Sequence, residues 1–266
     1  MKIAFIGGGN MGQAMLSAIL GKGLSTPEAI SVSDINKARL EHLEKVYGVY
    51  VTGSNLEAIV RGDVVVLAIK PQNLAEVMAE IGGRLKSNQL VLSIVAGKSI
   101  ATLKQRLKHN AIVRAMPNTP AQIGQGVTVW TATNEVTEEQ KASVSSILGA
   151  MGQEIYVDDE KYIDMATAIS GSGPAYVFLF IESLISAAID IGLPQDIAKE
   201  LVFQTVLGSG NFARKSGKEL PQLREMVTSP GGTTAEALKV FKEKQFTELI
   251  RQAVVAANNR AKQLGG

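Results

Sequence analysis

Short apolar runs that alternate with helical patterns are the feature that most constrains the fold of this chain. Apolar runs without polar alternation are typical of strands that are buried on both faces. Strand–helix alternation of this kind predicts a parallel sheet with helices on both sides. Six such runs cover residues 2–7, 29–34, 49–52, 63–70, 89–96 and 111–116, and the segments between them carry apolar residues at helical spacing.

The pattern changes after Asp159. Before it, residues 126–132 and 154–159 predict two more strands around a helix that starts at Thr137, where Thr137 and Gln140 match a capping box. After it, every run is helical in period and no strand is predicted. We therefore expect an α/β domain with a doubly wound, mostly parallel sheet over residues 1–159, and an all-α domain over residues 160–266.

Composition excludes several classes of chemistry. The chain has 266 residues, a formal net charge of +2 and no long basic run, which disfavours a nucleic-acid partner. It has no cysteine, so disulfides, thiolate nucleophiles and cysteine metal sites are excluded. The only histidines, His42 and His109, lack metal-ligand spacing and are expected at the surface. We predict no metal site.

No secretory signal or membrane span is expected. The first apolar stretch is too short for a signal and ends in glycines. The most apolar later segment, residues 175–192, contains Glu182 and Asp190, whereas a spanning helix needs about 20 mostly apolar residues. Its apolar residues occupy more than one face, which indicates a buried helix covered in part by a second subunit. We expect a cytoplasmic homo-oligomer without a membrane partner.

A glycine motif follows the first strand and opens the first helix. In the G-x-G-x-x-G pattern, the first glycine permits a tight turn, the second lets a pyrophosphate approach the backbone, and the third lets helix and strand pack closely. The free N–H groups of the helix start attract phosphates. We predict a dinucleotide site formed by Gly7, Gly8, Gly9, Asn10, Met11 and Gly12.

The end of the second strand bears on the choice of cofactor. Asp34 stands where an acidic residue would accept a hydrogen bond from a ribose 2′-hydroxyl, which favours NADH. Lys37 and Arg39 are close enough in sequence to offset its repulsion of a 2′-phosphate. The alternative role for Asp34 is to cap the following helix. We expect NADH to be at least competitive with NADPH.

Other strand ends also carry unusual residues, and ligands of open parallel sheets bind beyond these ends. Lys70 either approaches the nicotinamide ribose or a phosphate, or is a solvated lysine. Two prolines, Pro117 and Pro120, stiffen the loop around Asn118.

Six segments, taken together, resemble the pyrroline-5-carboxylate reductase family. They are FIGGGNMG, AIKPQ, SIVAG, RAMPNTP, SGSGPAY and VTSPGGTT, in family order and over almost the whole chain. The resemblance implies a Rossmann domain, a helical dimerisation domain, and reduction of 1-pyrroline-5-carboxylate to L-proline by NADPH or NADH. Beyond the glycine loop and Asp34, it implies cofactor contacts from Asn55, Ala68, Ile69, Lys70, Pro71, Val95, Ala96 and Gly97.

This chain departs from the family pattern at two positions. Ile35 replaces an arginine that many members have just after the second strand, which leaves the use of NADPH open. Met226 replaces an asparagine that some members have three residues before the serine of SPGG, so a polar contact is missing here.

A second glycine-rich helix start, SPGGTT, suits a small carboxylate. Pro230 fits an early helical position, since its missing N–H would be unpaired there. Backbone N–H groups of Gly231, Gly232 and Thr233, together with Ser229, then form an anion site at a positive helix end. Thr234 matches the family position whose hydroxyl hydrogen-bonds the substrate nitrogen. The alternative is a capped helix start without a ligand.

Two other functions remain open from the residues alone. A β-hydroxyacid dehydrogenase has a similar domain order, but the stretch SGSGPAYVFLF, starting at Ser170, lacks the lysine that such an enzyme needs early in its helical domain. A non-catalytic dinucleotide-binding scaffold would keep the first glycine loop and need no anion site. The glycines of residues 170–176 favour a structural or interface role over substrate contact.

Overall fold

The computed structural model describes residues 1–265. The chain forms two compact units, one of Met1–Ser172 with the end of the chain from Ala256, the other of Gly173–Val255. The domain division expected at residue 160 stays a prediction. In the structure, the short helix after residue 160 packs on the sheet of the first unit.

The first unit is built on an eight-stranded sheet. Neighbouring strands run parallel except β6 and β7, which are antiparallel, and the strand order is β3-β2-β1-β4-β5-β6-β7-β8. The doubly wound, mostly parallel sheet is therefore confirmed, with all eight expected strands. They are β1 Ile3–Ile6, β2 Ile30–Ser33, β3 Tyr50–Thr52, β4 Val64–Leu67, β5 Leu90–Ser93, β6 Ile112–Met116, β7 Gly126–Ala132 and β8 Gly152–Tyr156.

Seven α-helices belong to the described part of this unit before Ser172. Side chains of Asn36, Ser54 and Ser99 accept hydrogen bonds from the first turns of three of them, and Thr137 with Gln140 forms the expected capping box at a fourth. The helices are α1 Asn10–Gly21, α2 Lys37–Tyr47, α3 Asn55–Ile59, α4 Leu74–Ile81, α5 Ile100–Leu107, α6 Glu138–Gly149 and α7 Lys161–Ala166.

The inner strands of the sheet are buried on both faces, whereas the edge strands β3 and β8 are partly exposed. Ile3 and Phe5 of β1 belong to one apolar layer, while the alternating Ala4 and Ile6 belong to the other. This alternation explains why the strands read as continuous apolar runs. Because β1, β2, β4 and β5 are parallel, their carboxyl ends meet at one edge of the sheet.

The second unit is helical. A π-helical turn, Thr167–Gly171, leads from α7 towards it, and α8 packs against α9. The helices are α8 Gly173–Asp190, α9 Gln195–Lys215, α10 Leu220–Met226, α11 Thr233–Glu243 and α12 Phe246–Gly265, the last of which begins in this unit and ends in the first.

The long apolar helix α8 is less buried in the single chain than the sequence analysis expects. No residue of α8 is buried within the single chain, and Phe178 and Leu179 are 56% and 63% exposed. The helical stretch Lys161–Asp190 is long and apolar enough to cross a membrane by those two criteria. The expected burial of this helix therefore depends on something outside the single chain.

The surface position expected for His109 is wrong. Lys108 ends α5 in a left-handed conformation, with φ of 52°, and His109 then turns inwards to 7% exposure. Its Nε2 atom lies 2.7 Å from the carbonyl oxygen of Gln89. His42 is exposed, as expected. Within residues 1–265 there is no group of three His, Asp or Glu side chains with metal-binding proximity.

Candidate active site

The first glycine motif forms a tight turn between β1 and α1. Gly7 has φ of +100°, and a Cβ atom there would lie 2.6 Å from the carbonyl oxygen of Ala68. A Cβ atom at Gly12 would collide with the carbonyl oxygen of Gly7. Both positions therefore require glycine, for conformation at Gly7 and for space at Gly12. The tight turn at Gly7 and the close packing of helix and strand at Gly12, both predicted from the sequence, are confirmed.

Gly9 leaves an open approach to the start of α1. It is the residue before the first helical turn, no side chain caps that turn, and no atom lies within 4 Å of the position a Cβ would take. The N–H of Gln13 bonds to the carbonyl oxygen of Gly9, which leaves the N–H groups of residues 10–12 for a ligand. An uncapped, unobstructed helix start of this kind fits a pyrophosphate.

Asp34 supports the glycine turn directly. Its Oδ2 atom accepts a hydrogen bond from the N–H of Gly8 at 2.8 Å, and its Oδ1 atom accepts one from the N–H of Asn36 at 2.9 Å. The guanidinium of Arg39 lies 3.0 Å from Oδ2, and the Asp34 side chain is only 6% exposed. The alternative capping role is not observed at α2, because Asn36 is the residue that caps that helix.

Asn55 lies at the start of α3, between β2 and α4. Its Oδ1 atom accepts a hydrogen bond from the Ser33 hydroxyl at 2.6 Å, and its Nδ2 atom donates one to Oε2 of Glu80 at 2.6 Å. No sequence signal marks Glu80, because this acidic side chain stands among ordinary helix residues.

The ends of β4 and β5 also lie beside the glycine turn. The N–H of Ala68 bonds to the carbonyl oxygen of Ile6. Ile69 and the exposed Lys70 follow, and a short 3₁₀ turn starts at Pro71. After β5, Val95 is buried, Ala96 is half-buried, and Gly97 is left-handed with φ of +67°. The structure thus gathers the expected cofactor residues of the first unit around the carboxyl ends of β1, β2, β4 and β5.

The end of α12 contacts the loop after β5. A Cβ atom at Gly97 would lie 2.6 Å from Cβ of Leu264, and the ammonium of Lys98 lies 3.3 Å from the carbonyl oxygen of Leu264. The position of Leu264 was not predicted, since the sequence offers no signal that links residues so far apart.

Arg114, the first residue of the RAMPNTP segment, is a buried charge whose partners cannot be read from the sequence. The residue is 3% exposed on β6, and its guanidinium donates to Oε1 of Glu160 at 2.7 Å and to Oδ1 of Asp164 at 2.6 Å. Oε1 of Glu160 also accepts the N–H of Ile100 at 2.8 Å. The cluster joins β6, α5 and α7, and the signal for it was an arginine inside an otherwise apolar strand.

In the second unit, the motif SPGG forms a turn before α11. The N–H of Gly232 bonds to the carbonyl oxygen of Ser229 at 3.1 Å, Pro230 takes the second position, and Gly231 has φ of +68°. Proline followed by a left-handed glycine is the signature of a type II turn. The helical position expected for Pro230 is therefore wrong, because α11 begins only at Thr233.

The start of α11 leaves backbone donors unused. Gly232 precedes the helix and no side chain caps it. The donor role expected for the Gly232 N–H is wrong in this structure, because that N–H bonds to the carbonyl oxygen of Ser229. The donors left at this helix start are the N–H groups of Thr233, Thr234 and the next residue. Thr234 is half-buried, and its hydroxyl makes no hydrogen bond within the described residues.

The first unit defines the class of the protein. A parallel sheet with an uncapped glycine turn after β1, and an aspartate at the end of β2, is the Rossmann arrangement for a dinucleotide. The protein is an oxidoreductase that uses NAD(P)H.

Comparison with known proteins identifies the family. A model described as pyrroline-5-carboxylate reductase dimerisation matches residues 160–264, and one described as NADP oxidoreductase, coenzyme F420-dependent, matches residues 2–97. The pyrroline-5-carboxylate reductase of Synechocystis sp. is 39% identical over 265 residues, which cover 100% of this chain and 98% of the relative. The chain belongs to the pyrroline-5-carboxylate reductase family.

Solved structures agree over the whole chain. A pyrroline-5-carboxylate reductase from Coxiella burnetii has a TM-score of 0.91 at 39% identity, with 100% of this chain and 98% of that one covered. The pyrroline carboxylate reductase of Plasmodium falciparum, solved with NADP bound, has a TM-score of 0.91 at 35% identity, with the same coverage. The Rossmann domain followed by a helical dimerisation domain is thereby confirmed.

Proposed function

We propose that this protein reduces 1-pyrroline-5-carboxylate to L-proline with NADH or NADPH, the last step of proline biosynthesis. The observation that carries the proposal is the full-length similarity to pyrroline-5-carboxylate reductases. The unobstructed helix start at Gly9 and the second uncapped helix start at Thr233 support it.

The cofactor part of the site lies in the first unit. NAD(P)H supplies the hydride. The N–H groups at the start of α1 bind the pyrophosphate, Asp34 accepts a hydrogen bond from the adenosine ribose, and the strand-end loops complete the contact surface. The contributing residues are Gly7, Gly8, Gly9, Asn10, Met11, Gly12, Asp34, Asn55, Ala68, Ile69, Lys70, Pro71, Val95, Ala96 and Gly97.

The substrate part lies in the second unit. N–H groups at the start of α11 bind the substrate carboxylate, and the positive helix end favours its charge. The type II turn presents the Ser229 hydroxyl, and Gly231 and Gly232 shape the turn without side chains. Thr233 contributes its N–H, and the Thr234 hydroxyl hydrogen-bonds the substrate nitrogen.

The chemistry needs little from the protein beyond binding and orientation. The hydride adds to the carbon of the C=N bond, and the nitrogen acquires one proton to give the secondary amine of proline. An imine nitrogen is basic enough to be partly protonated in neutral water, and a protonated C=N bond is a good hydride acceptor. Thr234 then holds the nitrogen in place, and the site positions the ring and excludes water.

The helical unit is the proposed dimer interface. Apolar side chains of α8, Phe178 and Leu179 among them, are exposed in the single chain, and the matched family model describes dimerisation. Glu182 and Asp190 within the apolar stretch favour a protein surface over lipid. We propose a cytoplasmic homo-oligomer that binds neither membrane nor nucleic acid.

A direct spectrophotometric assay tests the function. NADH or NADPH absorbance is followed at 340 nm after addition of 1-pyrroline-5-carboxylate, with L-proline identified as product. A cofactor that binds but is not oxidised would favour the scaffold alternative. Oxidation of a β-hydroxyacid, with no reduction of the imine, would favour the dehydrogenase alternative.

A further inference from the structure

Three side chains form a directed hydrogen-bond chain at the adenosine end of the site. The Ser33 hydroxyl donates to Oδ1 of Asn55, and Nδ2 of Asn55 donates to Oε2 of Glu80, each at 2.6 Å. An ionised carboxylate only accepts hydrogen bonds, so Asn55 must turn its amide nitrogen towards Glu80. Glu80 is therefore held in place although its helix, α4, is exposed at this point.

This hydrogen-bond chain lies beside the glycine turn that would receive the cofactor. Ser33 precedes Asp34 directly, and its carbonyl oxygen accepts the N–H of Gly7 at 2.8 Å. Ser33 and Asn55 thus connect Glu80 to the end of β2 through two short hydrogen bonds. The end of β2 is where a Rossmann site reads the 2′ position of the adenosine ribose.

Of the two carboxylates at this end of the site, one is paired with a cation and the other is not. Asp34 is paired with Arg39 at 3.0 Å, so these two charges largely cancel. Glu80 forms no ion pair with any cation in residues 1–265. The carboxylate of Glu80 is consequently an uncompensated negative charge fixed next to Asn55.

We propose that Glu80 biases cofactor specificity against NADP(H) by repelling its 2′-phosphate. A 2′-phosphate adds negative charge at the ribose, whereas the 2′-hydroxyl of NAD(H) adds none. Repulsion across partly solvated space falls with distance and with salt, so the effect is a modest bias against NADP(H) and not an exclusion. The inference rests on the proposed function only in that a nicotinamide dinucleotide binds at the glycine turn.

The test is direct binding to the full-length protein. Dissociation constants for NAD⁺ and NADP⁺ are measured by titration calorimetry for the parent and for Glu80→Gln. The glutamine keeps an oxygen that accepts from Asn55 and removes the charge. We expect the ratio of the NADP⁺ constant to the NAD⁺ constant to fall at least about threefold, with the NAD⁺ constant nearly unchanged. At about 0.5 M salt, parent and variant should converge.

The matched control is Glu76→Gln, which removes the same charge one turn earlier on α4, from a side chain without a hydrogen bond to the described residues. It should shift the ratio less than Glu80→Gln does. An unchanged ratio in Glu80→Gln, an equal shift in Glu76→Gln, or a shift that persists at high salt would each overturn the proposal. A parent that binds neither nucleotide would overturn the proposed function as well, whereas the first three results leave that function intact.

Discussion

The carboxylate of Asp34 accepts a hydrogen bond from the backbone N–H of Gly8 at 2.8 Å. The residue proposed to bind the ribose therefore also supports the glycine turn proposed to bind the pyrophosphate. Its pairing with Arg39 means that loss of Asp34 would release a guanidinium at the same place.

We expect NADH to be at least competitive with NADPH in the parent, and Asp34→Ser to shift the kcat/KM ratio at least about tenfold towards NADPH. A tenfold shift corresponds to about 1.4 kcal/mol. The freed Arg39 would bind the 2′-phosphate, so the double variant Asp34→Ser/Arg39→Ala should lose the gain. Steady-state kinetics with both cofactors measure this, and a strong preference of the parent for NADPH would contradict the role of Asp34.

Gly9→Ala separates cofactor binding from folding. The backbone at Gly9 has φ of −67° and the added methyl group meets no atom, so the melting temperature should stay within about 2 °C. The methyl group would occupy the approach of the pyrophosphate, and we expect cofactor affinity to fall at least about tenfold. Calorimetry and thermal unfolding measure the two effects.

Gly7→Ala is the comparison for Gly9→Ala. Gly7 has φ of +100° and faces the carbonyl oxygen of Ala68, so alanine there should destabilise the fold by about 1–3 kcal/mol. Unchanged cofactor affinity in Gly9→Ala would show that this glycine turn does not bind the pyrophosphate.

Thr234→Ala should lower kcat/KM for 1-pyrroline-5-carboxylate at least about tenfold, or about 1.4 kcal/mol in the transition state. The hydroxyl is the group lost, so Thr234→Ser should retain most activity. Cofactor affinity should not change in either variant, because the cofactor residues lie in the other unit. Thr233→Ala serves as a control with an intact Thr234, and full activity of Thr234→Ala would exclude the proposed contact.

Gly97→Ala tests the contact with the end of α12. Gly97 combines a positive φ with a close approach to Leu264, whereas Gly124 has φ of +70° and nothing within 4 Å. Gly124→Ala should therefore show backbone strain only, of about 1 kcal/mol. Gly97→Ala should lose more stability and also weaken cofactor binding, since its loop belongs to the proposed cofactor site. Equal losses in the two variants, measured by denaturant unfolding, would mean that the Leu264 contact contributes nothing.

Leu179→Asp should weaken the oligomer. Leu179 is 63% exposed on α8 in the single chain, and burial of an aspartate in an apolar interface without a partner is costly. Sedimentation should show a dimer or larger species for the parent and a shift towards monomer for the variant. Ile123→Asp, at an apolar residue of the first unit that is even more exposed, should leave the oligomer unchanged. A parent that sediments as a monomer would contradict the proposed interface.

Local chemistry was enough to predict most elements. The strands β1 to β8, the capping box at Thr137 and the turn at Gly7 are determined by a few adjacent residues, and all are confirmed. Errors at local scale came from competing signals. Proline is common both at a helix start and in a type II turn. Because the glycine that follows Pro230 is left-handed, this segment forms the turn.

The sequence by itself determined the fold class, the two helix starts with free backbone donors, and the family. Only the tertiary structure decided that Gly8 bonds to Asp34, that Arg114 is neutralised by Glu160 and Asp164, that Glu80 holds Asn55, and that Leu264 lies on Gly97. Conformation at a glycine or a cap is fixed by neighbours along the chain, whereas these partners are between 25 and 167 positions apart. Their contacts exist only because the sheet and helices bring distant segments to one edge.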